Sequence, residues 1–411
     1  MTPILGNSSL PETSIKSVLI SGASIAGPAL AYWLGRYGVA TTVVEKAKSL
    51  RGGGYPIDIR GTAIDVVERM DLLEQIRARQ FHPTQTTFLD GDGRVLGKVS
   101  GADITGAEAG RDLEIRRGDL GDILYEATRD FVDYRFNNEI SNLRQHDEGV
   151  EVGFADGSRH DFDLVIGADG LHSNTRTLAY GDLDGIEKYI GYCFSGFTIR
   201  DLSLLDNGTM VFNAPGKLAA LVLSKGDDFA TCLMAFKYAS SPFNEKLTDR
   251  QKRELTASMF DGMGWRIPEF VECMWRSDDL FFDSMSQIHM PSWSTGRVAL
   301  VGDAAHATSF LSGQGSSMAL VSAYMLAGEI ATNNSFSDAF ARYESRTRWF
   351  VESNQALVSE GERIMIPSTP EALEQRNQGL KAFLSAPDPE KRPGGSAHDI
   401  HAALTLPDFD L

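Results

Sequence analysis

A glycine pair and one carboxylate carry the first chemistry that can be read from this chain. The segment Gly22-Ala23-Ser24-Ile25-Ala26-Gly27 follows a short apolar run, Val18 to Ser21, and opens a stretch of helical periodicity that ends at Gly38. Gly22 suits the tight strand-to-helix turn, and Gly27 lets the helix lie close to the strands. Ser24 replaces a middle glycine; it is a mild change, and its hydroxyl can itself donate to a phosphate. The start of such a helix offers unpaired N–H groups and a partial positive charge of about half a unit, which suits a pyrophosphate. Glu45 closes the next apolar run, Thr41 to Glu45, 23 positions after Gly22, with Lys46 beside it. An acid there accepts hydrogen bonds from ribose hydroxyls and repels a 2′-phosphate, which leaves FAD or NAD and excludes NADP from this pocket.

A second segment separates those two. Gly296 to Gly315 reads GRVALVGDAAHATSFLSGQG. A buried strand, Val298 to Val301, places Asp303 at its carboxyl end, where open α/β sheets bind ligands. Asp303 can accept from the sugar-alcohol hydroxyls of a ribityl chain, which FAD has and NAD lacks. Gly313, Gln314 and Gly315, followed by Ser316, open another helix whose N–H groups suit negative charge on a flavin pyrimidine ring. Two further segments lie between. Arg117, in Glu114 to Leu120 (EIRRGDL), stands near a helix start, where it either reaches the phosphates or is a solvated surface arginine. Asp163 to Arg176 (DLVIGADGLHSNTR) ends a strand in Asp169-Gly170, which either forms a plain turn or shapes a groove for a visiting nicotinamide.

The elements that must position these groups read as follows. Val18 to Ser21, Ile25 to Tyr37 and Thr41 to Glu45 make a βαβ unit. Turns at Asp90-Gly91, Glu148-Gly149 and Asp156-Gly157 mark hairpins. Tyr189 to Phe236 reads as short aromatic strands of an antiparallel sheet. Gly315 to Ala331, Phe336 to Ile364 and Pro370 to Leu384 read as helices. No internal repeat is present. The chain has 411 residues, 42% of them hydrophobic, which is enough for two or three domains. A net charge of −17 opposes binding to nucleic acid or an anionic membrane. Cys193, Cys232 and Cys273 show no paired spacing, and the eight histidines no ligand spacing; a metal site is not expected, and a reducing cytoplasm is. No apolar run approaches the ~20 residues of a membrane span. Residues 1–14 read as a loose tail and not a signal peptide.

With these four segments in order, the chain resembles the class A flavoprotein monooxygenases of the para-hydroxybenzoate hydroxylase type, from about Ser17 to Leu384. Within that group it is most similar to tetracycline-inactivating monooxygenases and polyketide-tailoring hydroxylases. The resemblance implies an α/β fold: a Rossmann-like three-layer FAD-binding domain, an inserted β-sheet substrate domain and a C-terminal bridging helix. It places the FAD domain at 15–84, 110–182 and 286–345, the substrate domain at 85–109 and 183–285, and the C-terminal helices at 346–384. Residues 1–14 and 385–411 are then expected as mobile tails. It implies roles in FAD binding for Gly22, Ser24, Ile25, Ala26, Gly27, Glu45, Lys46, Arg117, Asp169, Asp303, Gly313, Gly315 and Ser316. It also implies NADPH or NADH as a transient reductant, because only one dinucleotide unit is present. Dioxygen would then react through a flavin C4a-hydroperoxide to hydroxylate an aromatic or polycyclic small molecule. A monomer or weak homodimer is expected.

One departure stands out. The family usually has proline where this chain has Phe310, beside the reactive face of the flavin. No acid or base is assigned, and His306 is expected to be structural. Tyr192, Phe194, Met210, Phe212 and Phe236 alternate along the expected strands and are, with Phe310, candidates to line the substrate pocket or simply to fill a sheet core. Two other readings are open. Gly264-Trp265-Arg266-Ile267-Pro268 is faintly similar to the W-x-W-x-I-P segment of flavin-dependent halogenases, although Met263 stands where one tryptophan belongs. A non-enzymatic flavoprotein that sequesters an aromatic compound would share the same motifs.

Overall fold

The run SVLIS is apolar, β-branched in part and uncharged, and it forms β1 (Ser17–Ser21) in the middle of a six-stranded sheet. The computed structural model describes residues 15–50, 52, 54–80, 85–99, 111–200, 208–223, 228–242, 247–385 and 397–409. After β1 come α1 (Ala26–Arg36) and β2 (Ala40–Glu45), a right-sized βαβ unit with β1 and β2 parallel. β3 (Pro56–Ile59) is followed by α2 (Thr62–Arg69) and α3 (Leu73–Ala78). A hairpin of β4 (Thr86–Leu89) and β5 (Val95–Val99) turns at Asp90 to Gly93. β6 (Leu113–Arg116) pairs with β3 and runs into α4 (Arg117–Glu126) and β7 (Asp133–Phe136). β8 (Ile140–Gln145), β9 (Val150–Phe154) and β10 (Arg159–Phe162) form a three-stranded meander, and β11 (Leu164–Gly167) returns beside β1.

Then α5 (Asn174–Tyr180) leads to β12 (Glu187–Ile199), β13 (Gly208–Ala214), β14 (Lys217–Leu223) and β15 (Ala230–Lys237). Helices α6 (Asp249–Met259) and α7 (Ile267–Arg276) precede β16 (Phe281–Ile288). The chain re-enters the first sheet as β17 (Ser294–Thr295) and β18 (Val298–Leu300). It continues through α8 (Asp303–His306), a 3-10 turn at Phe310–Ser312, α9 (Gly315–Thr332), α10 (Phe336–Gln355), α11 (Val358–Met365), α12 (Pro370–Leu384) and α13 (Ala397–His401).

The six-stranded sheet has the order β17-β18-β11-β1-β2-β7. Period-two alternation sends its residues to two different covers. Val18, Ile20, Val43 and Ile166 pack with α1 and α9, while Leu19, Val44, Val165 and Val298 pack on the β8–β10 meander through Val150, Val152 and Phe154. A mixed seven-stranded sheet, β16-β12-β15-β14-β13-β4-β5, stands beside this body. One of its faces carries Phe88, Tyr192, Phe194 and Met285 and meets Leu311, Val358 and Ile366; the other is covered by Phe260, Ile267, Phe270 and Met274 of the α6–α7 segment.

Two expectations change. The helix read over Phe336 to Ile364 breaks after Gln355. A Cβ at Gly361 would lie 1.8 Å from the Leu311 carbonyl oxygen, so the break lets α11 press its backbone against the 3-10 turn. The C-terminal stretch is not wholly a mobile tail. Residues 397–409 return to the core that packs on the six-stranded sheet, where Leu404, Leu406 and Phe409 are buried and the Leu404 carbonyl accepts from Thr62 Oγ1 at 2.8 Å. Each such apolar side chain contributes about 1.5–3 kcal/mol on burial, ample for a short segment that composition marks as loose. The Pro/Gly-rich stretch at 386–396 and the first fourteen residues lie outside the described residues.

Candidate cofactor cleft and substrate-facing sheet

Glycines make the close approaches on which the site depends. Gly22 has φ +108°, and a Cβ there would lie 2.5 Å from the Ala168 carbonyl oxygen, just before Asp169. A Cβ at Gly27 would lie 1.9 Å from the Gly22 carbonyl oxygen. Gly27 therefore presses against the Gly22 turn and Ile20 of β1, and α1 starts at Ala26, behind the N-cap Ile25, with no side-chain cap on its first N–H groups. Glu45 fixes the loop from the next strand: one carboxylate oxygen accepts from Ala23 N–H and the other from Ala47 N–H, both at 2.9 Å. Each oxygen keeps a second lone pair for a ribose hydroxyl. Lys46 beside it is exposed.

The later segments converge on this loop. A Cβ at Gly302, φ +60°, would come 3.0 Å from Ala26 Cβ, so the two glycine motifs touch although about 280 residues separate them. Asp303 starts α8 and Gly315 starts α9, and a Cβ at Gly315 would lie 3.9 Å from Asp303 Oδ1. Asp303 is open to the cleft yet set deep among protein, and that burial, with Asp283 adding to it and Arg117 opposing it, holds its carboxyl above the usual carboxylate range. Arg117 is the first residue of α4; its N–H donates to the Tyr55 carbonyl at 3.2 Å, and a Cβ at Gly121 one turn on would lie 3.7 Å from the Ser24 carbonyl. Ser316 is buried in the first turn of α9, and Gly313 takes φ +66° just before it.

Asp169 is committed internally. Its carboxylate accepts from Ser173 Oγ at 2.5 Å, from Thr175 N at 2.9 Å and from Thr175 Oγ1 at 2.8 Å, so it caps α5 beside the Gly22 turn. It therefore shapes the cleft wall through the turn. His306 is buried against Trp293 and within 3.5 Å of the Tyr343 hydroxyl, and burial pushes its imidazole down to about 3, which keeps it neutral.

Sequence reading missed the side chains that hold the 303–315 loop. The buried Arg176 guanidinium donates to the Ala304 carbonyl at 2.9 Å and the Leu171 carbonyl at 2.7 Å, tying the Asp169 turn to α8. Gln355 Nε2 donates to the carbonyls of Ile288 and Ala307, and Gln287 Nε2 to those of Thr308 and Gln355. His172 Nε2 meets Asp283 Oδ1 at 2.8 Å, joining the same turn to β16. Apart from Arg176 with Leu171, these pairings span 21 to 128 residues, and no local motif records them.

The residues at hand fit an FAD. Gly22 and Gly27 form a cradle that any side chain would fill, and α1, α8 and α9 each begin without a side-chain cap. Ser309 Oγ and Gln314 Oε1, between Asp303 and α9, are buried without a hydrogen-bond partner among the described residues. Buried polar atoms left so are costly, by about 1–3 kcal/mol each, and a flavin edge offers partners.

Of the aromatic candidates, Tyr192 and Phe194 lie on the face of the seven-stranded sheet that looks toward this cleft. Phe310 stacks on Phe194, centroids 4.9 Å apart, and is edge-on to Tyr55 at 5.6 Å. Met210, Phe212 and Phe236 do not join them. Register explains the correction: Phe236 pairs with Cys193, while Phe212 pairs with Ala219, Ala219 with Met234 and Met234 with Ser195. All three thus share the Cys193/Ser195 face and fill the core beneath α6 and α7. Trp265, in the segment compared with halogenases, stacks on Phe212 on that far face and has no place at the cleft.

Another pair faces the start of α9. Asp58 and Glu114 are direct partners across β3 and β6, and Asp58 is held by Arg60 at 2.7 Å. Burial first, and then Asp58, push the Glu114 carboxyl up to about 8, with Arg60 opposing. A raised carboxyl gives stability that is complete below the unfolded value near 4.5 and is lost as pH rises through about 8. Glu114→Gln should therefore gain on the wild type as pH rises: its melting temperature, relative to wild type, increases between pH 5.5 and 9 by about 2 °C or more. A difference that stays constant over that range would place the charge of Glu114 in solvent.

The model of a family described as FAD binding domain matches residues 16–354. A protein named flavin-dependent monooxygenase, from an unknown prokaryotic organism, is 38% identical over 371 residues, covering 90% of this chain and 95% of that protein. Another of the same name, from Legionella longbeachae serogroup 1 (strain NSW150), is 33% identical over 397 residues, covering 96% of this chain and 98% of its own length. The crystal structure of tetracycline destructase Tet(51) superposes with a TM-score of 0.82 at 34% identity, covering 96% of this chain and all of that one. A cleft built from two glycine motifs in contact, and full-length likeness to such enzymes, lead to one conclusion: the chain belongs to the FAD binding domain family and is an FAD-dependent monooxygenase.

Proposed function

We propose that this enzyme consumes NADPH or NADH to hydroxylate an aromatic or polycyclic small molecule held between the FAD cleft and the Tyr192/Phe194 face of the seven-stranded sheet. The observation that carries this reading is the close approach of Ala26 to Gly302, which supports both glycine motifs serving one cofactor, next to the aromatic side chains of that face. The name of Tet(51), a tetracycline destructase, supports a polycyclic substrate. When bound, FAD supplies the redox chemistry: two electrons from the nicotinamide let one atom of dioxygen enter the substrate while the other leaves as water.

The chain's own residues bind, orient and exclude water. The N-terminus of α1 and Arg117 would hold the diphosphate, Glu45 the adenosine ribose and Asp303 the ribityl chain. The N–H groups of Gly315 and Ser316 would face the pyrimidine edge, where a helix start stabilises negative charge, since those of Gly313 and Gln314 already donate to the Phe310 carbonyl and the Ser312 hydroxyl. The nicotinamide has no second dinucleotide unit and visits transiently. Reduction should therefore be slow alone and faster with substrate. Stopped-flow reduction across phenols and polyketides, followed by mass analysis of products made under labelled dioxygen, tests the reading. At least one compound should speed reduction and carry one labelled oxygen. If reduction speeds up but no label enters any product, the protein binds aromatics without hydroxylating them.

A further inference from the structure

Tyr55, which no sequence motif marks, sits where the two halves of the site meet. Its ring lies 6.1 Å from Phe194 and 6.3 Å from Phe281, both on the seven-stranded sheet, and 5.6 Å from Phe310 on the cofactor loop. Its carbonyl is anchored by the Arg117 N–H at the start of α4. The phenol feels the charges of Arg117, Asp303 and Asp283, which places it between the phosphate-side helix, the ribityl-side aspartate and the sheet.

Among the described residues, the other aromatics in this ring cluster are phenylalanines, so Tyr55 brings it a hydroxyl. Among the described residues that hydroxyl has no hydrogen-bond partner, and it is absent from the fully buried unpaired atoms, so it keeps some accessible surface. A phenol in such a place usually finds a partner. Burial, reinforced by Asp303 and Asp283 against Arg117, raises its pKa above the ordinary value, so it remains a donor at neutral pH.

We infer that Tyr55 is a specificity-determining residue: its hydroxyl donates a hydrogen bond to a ring oxygen of the substrate, whose planar body packs among Phe194, Phe281 and Phe310. The substrate class is thereby narrowed, within the function proposed above, to oxygenated aromatics such as phenols, quinones or enolised polyketides. An aromatic hydrocarbon of the same size would leave the Tyr55 hydroxyl without a partner.

The test uses the FAD-loaded enzyme, titrated with tetracycline, 4-nitrophenol and urate and followed by the flavin absorbance change. Tyr55→Phe removes one oxygen and keeps the ring, and its melting temperature and FAD content report whether the fold persists. At least one probe should bind the wild type, and its Kd should rise about tenfold in Tyr55→Phe, the loss of one hydrogen bond to a buried partner. Tyr55→Leu, which also breaks the ring cluster, should weaken it further. Equal affinity of wild type and Tyr55→Phe overturns the donor role and leaves the aromatic reading standing. Failure of all three probes to bind the wild type overturns the oxygenated-aromatic class on which the donor role rests.

Discussion

Gly27→Ala is expected to yield protein that no longer retains FAD through purification. The added Cβ would sit 1.9 Å from the Gly22 carbonyl oxygen, against about 3.3 Å for the nearest ordinary approach of carbon to such an oxygen. Both partners are backbone, so no rotamer relieves the clash, and α1 must move by roughly 1.4 Å or the Gly22 turn must open. The first case carries the helix N-terminus away from the diphosphate; a misplacement of about 1 Å costs on the order of a hundredfold in such sites. The second loosens Gly22 from Ala168 and so from the Asp169 turn. Overpacking of this kind also costs about 1–3 kcal/mol of stability, or more. FAD titration of refolded apoprotein measures the effect, with Gly52→Ala as control, since a Cβ there meets nothing within 4 Å. An FAD Kd within threefold of wild type would mean that the turn and helix are not the diphosphate site.

Phe310→Ala should separate cofactor reduction from hydroxylation. Phe310 follows Ser309, a non-glycine residue at φ +75°, and its ring is stacked on Phe194. A conformation of that sort costs about 1–3 kcal/mol and persists only where the surroundings hold it, here through Gln287, Gln355 and the Ser312 hydroxyl on the Ser309 carbonyl. Removing the ring deletes an aromatic pairing of about 0.5–1.5 kcal/mol beyond its buried area and opens the path for water to the reacting flavin. Substrate affinity should fall several-fold, and hydrogen peroxide released per nicotinamide oxidised should rise at least twofold. The two quantities come from one experiment with peroxidase-coupled detection. If neither moves, the ring is a packing element of the loop and not part of the pocket.

Much of the cofactor cleft was legible in the sequence because each of its parts is local. A strand, a glycine and a helix start are contiguous at Gly22 to Gly27, and again at Gly302 to Gly315, so composition and order suffice. The facing of the sheet aromatics was not legible. Alternation tells which residues of one strand share a face, but matching faces between strands depends on register, and Cys193 opposite Phe236 is a fact of pairing. Arg176, Gln287 and Gln355 reach carbonyl groups, which carry no residue type for a motif to record. The helix break near Ala356 follows from one close approach, Gly361 on Leu311, and the packed segment 397–409 follows from Thr62 and Tyr324, whose hydroxyls meet the Leu404 and Pro407 carbonyls. Tyr55 left a faint trace, an aromatic just after a glycine run, which acquires meaning only beside Phe194 and Phe310.

Two motifs about 280 residues apart are expected to hold one dinucleotide flavin by non-covalent contacts alone. Heat denaturation of the purified protein, followed by chromatography of the released chromophore, tests it directly. The expected result is intact FAD, about one per chain, in the soluble fraction, with none left on the precipitate. Release of FMN, colour that stays with the denatured chain, or protein that takes up no FAD when it is added would mean that the two motifs do not share one non-covalent FAD.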